Sequence, residues 1–191
     1  MLSFIYLLVA ASLSIGGILL WRLKKRPHTY KTAALCLWLG AYACLVNTSL
    51  LSAFIALELA TLGINLALYV SVPMATLLLL DVALNWQWQR ATWGRIFLSL
   101  AAMFELMRRA ETGNRYAEIM LIVCILASIF AAYSIIKAAK IKPQANGKLS
   151  LVLAAYLGLM VASLGALNSS FVLLWNALSL LTLGNYLYFA A

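Results

Sequence analysis

Two acidic residues stand inside a long apolar stretch that runs from residue 47 to residue 85. These residues are Glu58 and Asp81, and each would lie within a membrane span. A charged side chain in hydrocarbon costs several kcal/mol, so an acid at this depth usually faces a partner, a cavity or a transport path. Glu58 is therefore the first candidate for a functional ionisable site.

Polar side chains follow Glu58 at helical spacing. Thr61 lies one turn and Asn65 two turns further along, on roughly the same helix face. With Asp81 they form the expected ion or proton relay. The alternative is structural: Glu58 would hydrogen-bond across helices, and Asp81 would stabilise the bundle close to the membrane interface.

The segment 47–70 reads NTSLLSAFIALELATLGINLALYV. It resembles a helix in the membrane subunits of respiratory complex I, Mrp-type antiporters and membrane-bound hydrogenases. In those subunits a glutamate within an L-E-L motif belongs to the proton path. The resemblance implies that Glu58 is the proton-relay acid and that the chain works with other membrane subunits.

The composition is that of a membrane protein. Of the 191 residues 65% are hydrophobic and only 10% are charged, and the mean hydropathy is +0.98. Long apolar stretches in such a chain are membrane spans of about 20 residues each. We expect one domain, residues 1–191, with an all-α polytopic transmembrane helix bundle of about seven spans (six to eight).

The net charge of +9 comes from clustered basic residues, which are typical of cytoplasmic loops rather than of nucleic-acid binding. One cluster follows the first apolar run, which predicts an integral protein of the bacterial cytoplasmic membrane with its N-terminus outside. We expect Lys24, Lys25 and Arg26 to contact the lipid surface. Three tryptophans should form an interfacial belt, namely Trp86, Trp88 and Trp93.

Proline and polar residues suggest where spans end. Pro73 cannot donate a helical hydrogen bond, so we expect a break there between a span over 50–70 and a span over 74–88. The segment 92–109 has a polar or small stripe at steps of three and four. It predicts either an amphipathic helix at the interface or a short span with that stripe turned inward.

The chain contains an apparent internal repeat. Residues 47–66 align without gaps on residues 168–187, sharing N-x-S and A-L-x-L-x-T-L-G. We expect duplicated three-helix units at 1–72 and 119–191, with a linker span and an amphipathic helix over 73–118. Glu58 aligns with Ser179, so only one unit would carry an ionisable group.

No catalytic constellation, metal-ligand set or cofactor motif appears in the sequence. The single histidine, His28, is expected to be a solvated loop residue. The first functional hypothesis is ion or small-solute translocation, alone or as a subunit of a membrane complex. The second is a structural or assembly subunit, and the third is an intramembrane enzyme acting on lipid or quinone. The expected partners are the bilayer and other membrane subunits or further copies of the chain.

Overall fold

The computed structural model describes residues 2–24, 27–48, 57–109, 113–139, 146–167 and 171–190. This part of the chain is helical throughout, and the predicted all-α bundle of about seven spans is confirmed. The helices are α1 (Leu2–Arg22), α2 (Pro27–Val46), α3 (Leu57–Leu66), α4 (Val72–Leu84), α5 (Arg90–Arg109), α6 (Gly113–Ala139), α7 (Asn146–Gly165) and α8 (Val172–Ala190).

Helices α3 and α4 are one continuous path, joined by a π-helical segment at Ala67–Ser71. The expected break at Pro73 is therefore wrong. Proline lacks an N–H, and in an α-helix its ring crowds the carbonyl four residues earlier. The wider π turn just before Pro73 leaves more room for the ring, so the helix continues. If residues 57–84 are counted as one helix, the described part of the chain contains seven helices. The two spans expected over 50–70 and 74–88 thus form one helix there, and α5 is the seventh helix of the bundle.

Small residues let α1, α2 and α8 pack closely. A side chain added at Gly17 would overlap the Trp38 ring, and one added at Gly40 would lie 2.9 Å from Leu180. The Trp38 indole N–H donates to the Ser14 carbonyl at 3.4 Å. Close approach through glycine is a general way to join membrane helices, where apolar surface alone does not favour association.

Successive helices alternate in direction. Along α2 and α8, Leu37 lies against Gly184 and Gly40 against Leu180, so these two helices are antiparallel. Short stretches of chain separate α6 from α7 and α7 from α8, and each pair packs together. One end of the bundle therefore contains the end of α1, the start of α2, the end of α4 and the start of α5. We call it the basic end, because Arg22, Lys24, Lys31 and Arg90 lie there.

Helix α5 packs lengthwise on the bundle. It starts beside Trp88, where Trp93 meets that ring at 5.2 Å, and further along Phe104 stacks on Tyr69 at 4.9 Å. Its inner face carries large apolar side chains, while its polar stripe is turned outward at Arg95, Ser99, Ala102 and Arg109. The alternative with an inward stripe is wrong, because burial of the large side chains on the opposite face decides the orientation.

The outer surface of the bundle is strongly apolar. In the described part of the chain, five helices are long and apolar enough to cross a membrane, and the apolar part of α7, Leu151–Gly165, is shorter. Only 33% of the α6 span is buried inside the protein, and exposed residues such as Leu126 and Phe130 cover its outer face. Such a surface fits lipid and not water, so the chain is an integral membrane protein.

The predicted repeat of 1–72 and 119–191 stays a prediction. The boundary near residue 72 falls inside the continuous helix from α3 to α4. The aligned N-S-S turn at 168–170 lies outside the described residues.

Candidate ligand cavity at the basic end

Asp81 is a fully buried acid that ties three parts of the basic end together. Thr29 Oγ1, at the start of α2, donates to its Oδ2 at 2.7 Å. The Trp88 N–H donates to its Oδ1 at 3.2 Å. Its backbone carbonyl accepts from Asn85 and Trp86, which close the end of α4. Asn85 adopts the left-handed conformation, which asparagine tolerates better than most residues.

The structure does not bring the four expected relay residues together. Glu58 and Asp81 are separated by 23 residues of one helical path, or about 35 Å at 1.5 Å per residue. Thr61 is exposed and Asn65 half-buried, both near the far end from Asp81. The side chain of Glu58 lies outside the described residues.

The three expected belt tryptophans form one aromatic stack. Trp86 and Trp88 stack at 4.8 Å, and Trp88 meets Trp93 at 5.2 Å. Trp86 is exposed, as a belt residue should be, but Trp93 is only 3% exposed. The expectation that Trp93 contacts lipid is wrong, because it lies on the inner face of α5 and packs under Trp88. Lys24 is exposed, and Lys25 and Arg26 lie outside the described residues.

A cavity of about 480 Å³ lies beside this stack, between α1, α2, α4 and α5. It reaches the surface at the basic end, where His28, Lys31 and Arg90 are exposed. Its deep part is apolar and ends at the buried Met74, just after Pro73. The remaining wall comprises Trp21, Thr32, Leu35, Cys36, Leu39, Trp93, Gly94 and Phe97.

The mouth of the cavity is positively charged. Lys31 Nζ lies 5.3 Å from the centre of the Trp21 ring, a cation–π distance that holds the ammonium at the wall. Arg90 lines the opposite side. Among the described residues, no acid lines the cavity. The nearby Asp81 carboxylate accepts hydrogen bonds from Thr29 and Trp88.

Two helices begin at this mouth. Helix α2 starts at Pro27 and helix α5 at Arg90, and residues of both first turns line the cavity. A helix start carries partial positive charge from its unpaired N–H groups. The lysine, the arginine and both helix starts therefore favour negative charge at the same place.

One buried donor in the cavity wall is unused. The Trp93 indole N–H has no hydrogen-bond partner among the described residues, although the side chain is buried. A buried polar group without a partner costs about 1–3 kcal/mol, so such groups usually serve a ligand or water.

Sequence reasoning missed this cavity. The sequence predicts a solvated loop position for His28, and it does not identify Lys31 or Arg90 as residues of a site. The available signal was the α-helical spacing of His28, Lys31 and Leu35, which puts a histidine, a lysine and an apolar side chain on one face. The partner wall on α5 could not be found without knowing how α5 packs.

A second cavity, of about 320 Å³, lies between α4, α5 and α6. Its wall is almost wholly apolar, with Thr76 and Cys124 as the least apolar contributors. Among the described residues, no group of three or more His, Cys, Asp or Glu side chains is placed to hold a metal ion.

Comparisons with protein-family models, with curated proteins and with solved structures find no match to this chain.

Proposed function

We propose that this protein is a small-solute carrier whose solute is an amphiphile drawn from the bilayer, bound in the cavity between α2 and α5. The observation that carries the proposal is the cavity itself, which has a polar mouth at one end of the bundle and an apolar interior. Ligand sites are typically concave, mostly apolar and provided with a few polar groups.

The location of the cavity favours a ligand that comes from the membrane. The side wall contains exposed Leu35 and Gly94, so the cavity reaches the outer surface of α2 and α5 as well as the basic end. An alkyl chain could therefore enter sideways while its head group stays at the mouth.

The deep end of the cavity supports movement of the solute. It adjoins Met74, three residues beyond the π-helical segment, which is the irregular part of the described α3–α4 path. Single π-helical turns inside α-helices are frequent at functional sites.

A proton relay through Glu58, as the resemblance of residues 47–70 implies, remains an independent prediction. The geometry favours the cavity as the site of function because Asp81, the second acid of the expected relay, is engaged in hydrogen bonds at the far end of the helix.

Photoaffinity labelling tests the proposal. The protein is placed in nanodiscs of zwitterionic lipid and irradiated with alkyl probes that carry a diazirine at the chain end and a phosphate, hydroxyl or trimethylammonium head. At least one probe should label the peptides that contain Leu39 and Phe97. No labelling of these peptides above that of the lipid-facing α6 peptides would contradict the proposal.

A glycine supplies the matched control. A side chain added at Gly94 meets nothing within 4 Å, so Gly94→Leu should fill the cavity without disturbing the fold. Gly158 is equally free of neighbours but lies on α7, away from the cavity. Labelling of the cavity peptides should fall severalfold in Gly94→Leu and stay unchanged in Gly158→Leu.

A further inference from the structure

We infer that the cavity mouth is an anion site, and that the ligand is a single-chain amphiphile with a phosphate or carboxylate head group. The inference rests on the proposed function and names the chemical class of the ligand. Its basis is the convergence of Lys31, Arg90, His28 and two helix starts on one end of an apolar cavity.

The positions of Lys31 and Arg90 are not explained by the orientation of the protein in the membrane alone. Basic residues that only orient a protein need to lie in a loop near a span end. Lys31 lies instead a full turn inside α2, where the Trp21 ring holds its ammonium, and Arg90 faces the same cavity from a different helix. Two cations on separate helices, with no acid among the described residues of the wall, leave positive charge that a head group would neutralise.

The donors at the mouth suit an oxyanion. Arg90 offers a planar fork of N–H groups that matches two oxygens of a phosphate or carboxylate, and Lys31 adds a point charge. A hydroxyl or trimethylammonium head group would leave the positive charge of Lys31 and Arg90 without a counter-charge.

The opposite end of the bundle differs in charge from the basic end. Along the sequence, Arg108, Arg109 and Arg115 stand within a few residues of three acids, Glu105, Glu111 and Glu118. Arg109 Nε binds Glu105 Oε1 at 3.1 Å within α5. Among the described residues, Arg22, Lys24, Lys31 and Arg90 lie at the basic end, where the cavity opens.

Comparison of probes with equal chains and different heads tests the inference. In nanodiscs of zwitterionic lipid, the alkyl phosphate probe should label the cavity peptides at a concentration at least about tenfold lower than the alkyl alcohol, since a charge-assisted hydrogen bond is worth that much or more. The trimethylammonium probe should label them least.

Variants that lack the charges of Lys31 and Arg90 test whether the cavity mouth selects the head group of the probe. Lys31→Gln and Arg90→Gln together should bring phosphate and alcohol probes to equal labelling, while Lys137→Gln, on the exposed surface of α6, should change nothing. Size-exclusion chromatography and thermal unfolding of each variant show that the fold is intact.

Distinct results would overturn the inference and the proposed function. Equal labelling by all three heads, still lost in Gly94→Leu, would exclude an anion site and leave an amphiphile carrier. If Gly94→Leu lowers the labelling of the cavity peptides by none of the probes, both the anion site and the amphiphile carrier are excluded. Displacement of the alkyl phosphate by millimolar inorganic phosphate would show that free phosphate, and not an amphiphile, is the ligand.

Discussion

Thr29 Oγ1 donates a hydrogen bond of 2.7 Å to Asp81 Oδ2, and this bond joins the start of α2 to the end of α4. The same carboxylate receives the Trp88 N–H, so it also fixes the turn that leads into α5. Both walls of the cavity mouth, the first turn of α2 and the first turn of α5, are thus positioned by one buried acid.

Asp81→Ala should destabilise the protein. The change leaves the Thr29 hydroxyl and the Trp88 N–H without their acceptor in a buried place, which costs about 1–3 kcal/mol for each such group. Thermal unfolding in detergent measures the effect. Ser12→Ala is the control, because the Ser12 hydroxyl bonds only to the Leu8 carbonyl within exposed α1.

Asp81→Asn separates a structural role from a relay role. An amide keeps one acceptor oxygen and should recover part of the stability that Asp81→Ala loses. Normal stability of Asp81→Asn combined with complete loss of transport would show that the carboxylate acts in the reaction path and not in positioning the helices.

Gly17→Leu should weaken the contact between α1 and α2. The new side chain would overlap the Trp38 ring, and overpacking of this kind costs about 1–3 kcal/mol. Gly158→Leu should be neutral or slightly stabilising, because its site is open and leucine favours the helix by about 1 kcal/mol. Unfolding in increasing denaturant compares the two, and equal midpoints would contradict the close packing.

The alternation of helix directions predicts the orientation of the C-terminus. Helix α8 runs antiparallel to α2 and therefore ends at the basic end, so a cytoplasmic basic end places the C-terminus inside. A fluorescent protein fused after Ala191 should therefore fold and emit, and an alkaline phosphatase fused there should be inactive. The reverse pattern would mean that the basic end lies outside.

Glu58→Gln should leave labelling of the cavity by the alkyl phosphate unchanged within twofold. Glu58 is about 35 Å along the helix from Asp81, which adjoins the cavity mouth. The same variant in liposomes with a pH-sensitive dye tests the proton relay implied by the resemblance. Proton flux in the wild type that Glu58→Gln abolishes would favour the relay over the carrier.

The sequence predicted the architecture well, because apolar runs of span length have one stable form in lipid. It located α5 to within two residues, since the segment expected over 92–109 forms the helix Arg90–Arg109. It failed at Pro73, where proline indicates a break unless a π turn precedes it, and π turns have no simple sequence signal.

The sequence was weaker on the site. Asp81 was singled out as a buried acid near the tryptophans, and the structure places it there. The partnership with Thr29, 52 residues earlier, depends on how α2 packs against α4 and could not be inferred from spacing. Burial of Trp93 depends in the same way on the orientation of α5.

The π-helical segment has a consequence for how this helix tolerates change in length. Each residue turns an α-helix by about 100° and advances it by 1.5 Å. A π turn contains about one residue more than an α turn, so deleting one residue from Ala67–Ser71 and restoring regular α-helix would leave α4 nearly in phase with α3. Deleting one residue from the regular helix on either side would instead rotate Asp81 relative to the start of α3 by about 100°. The π-helical segment thus accommodates one extra residue while the second half of the helix, and with it the mouth of the cavity, keeps its position.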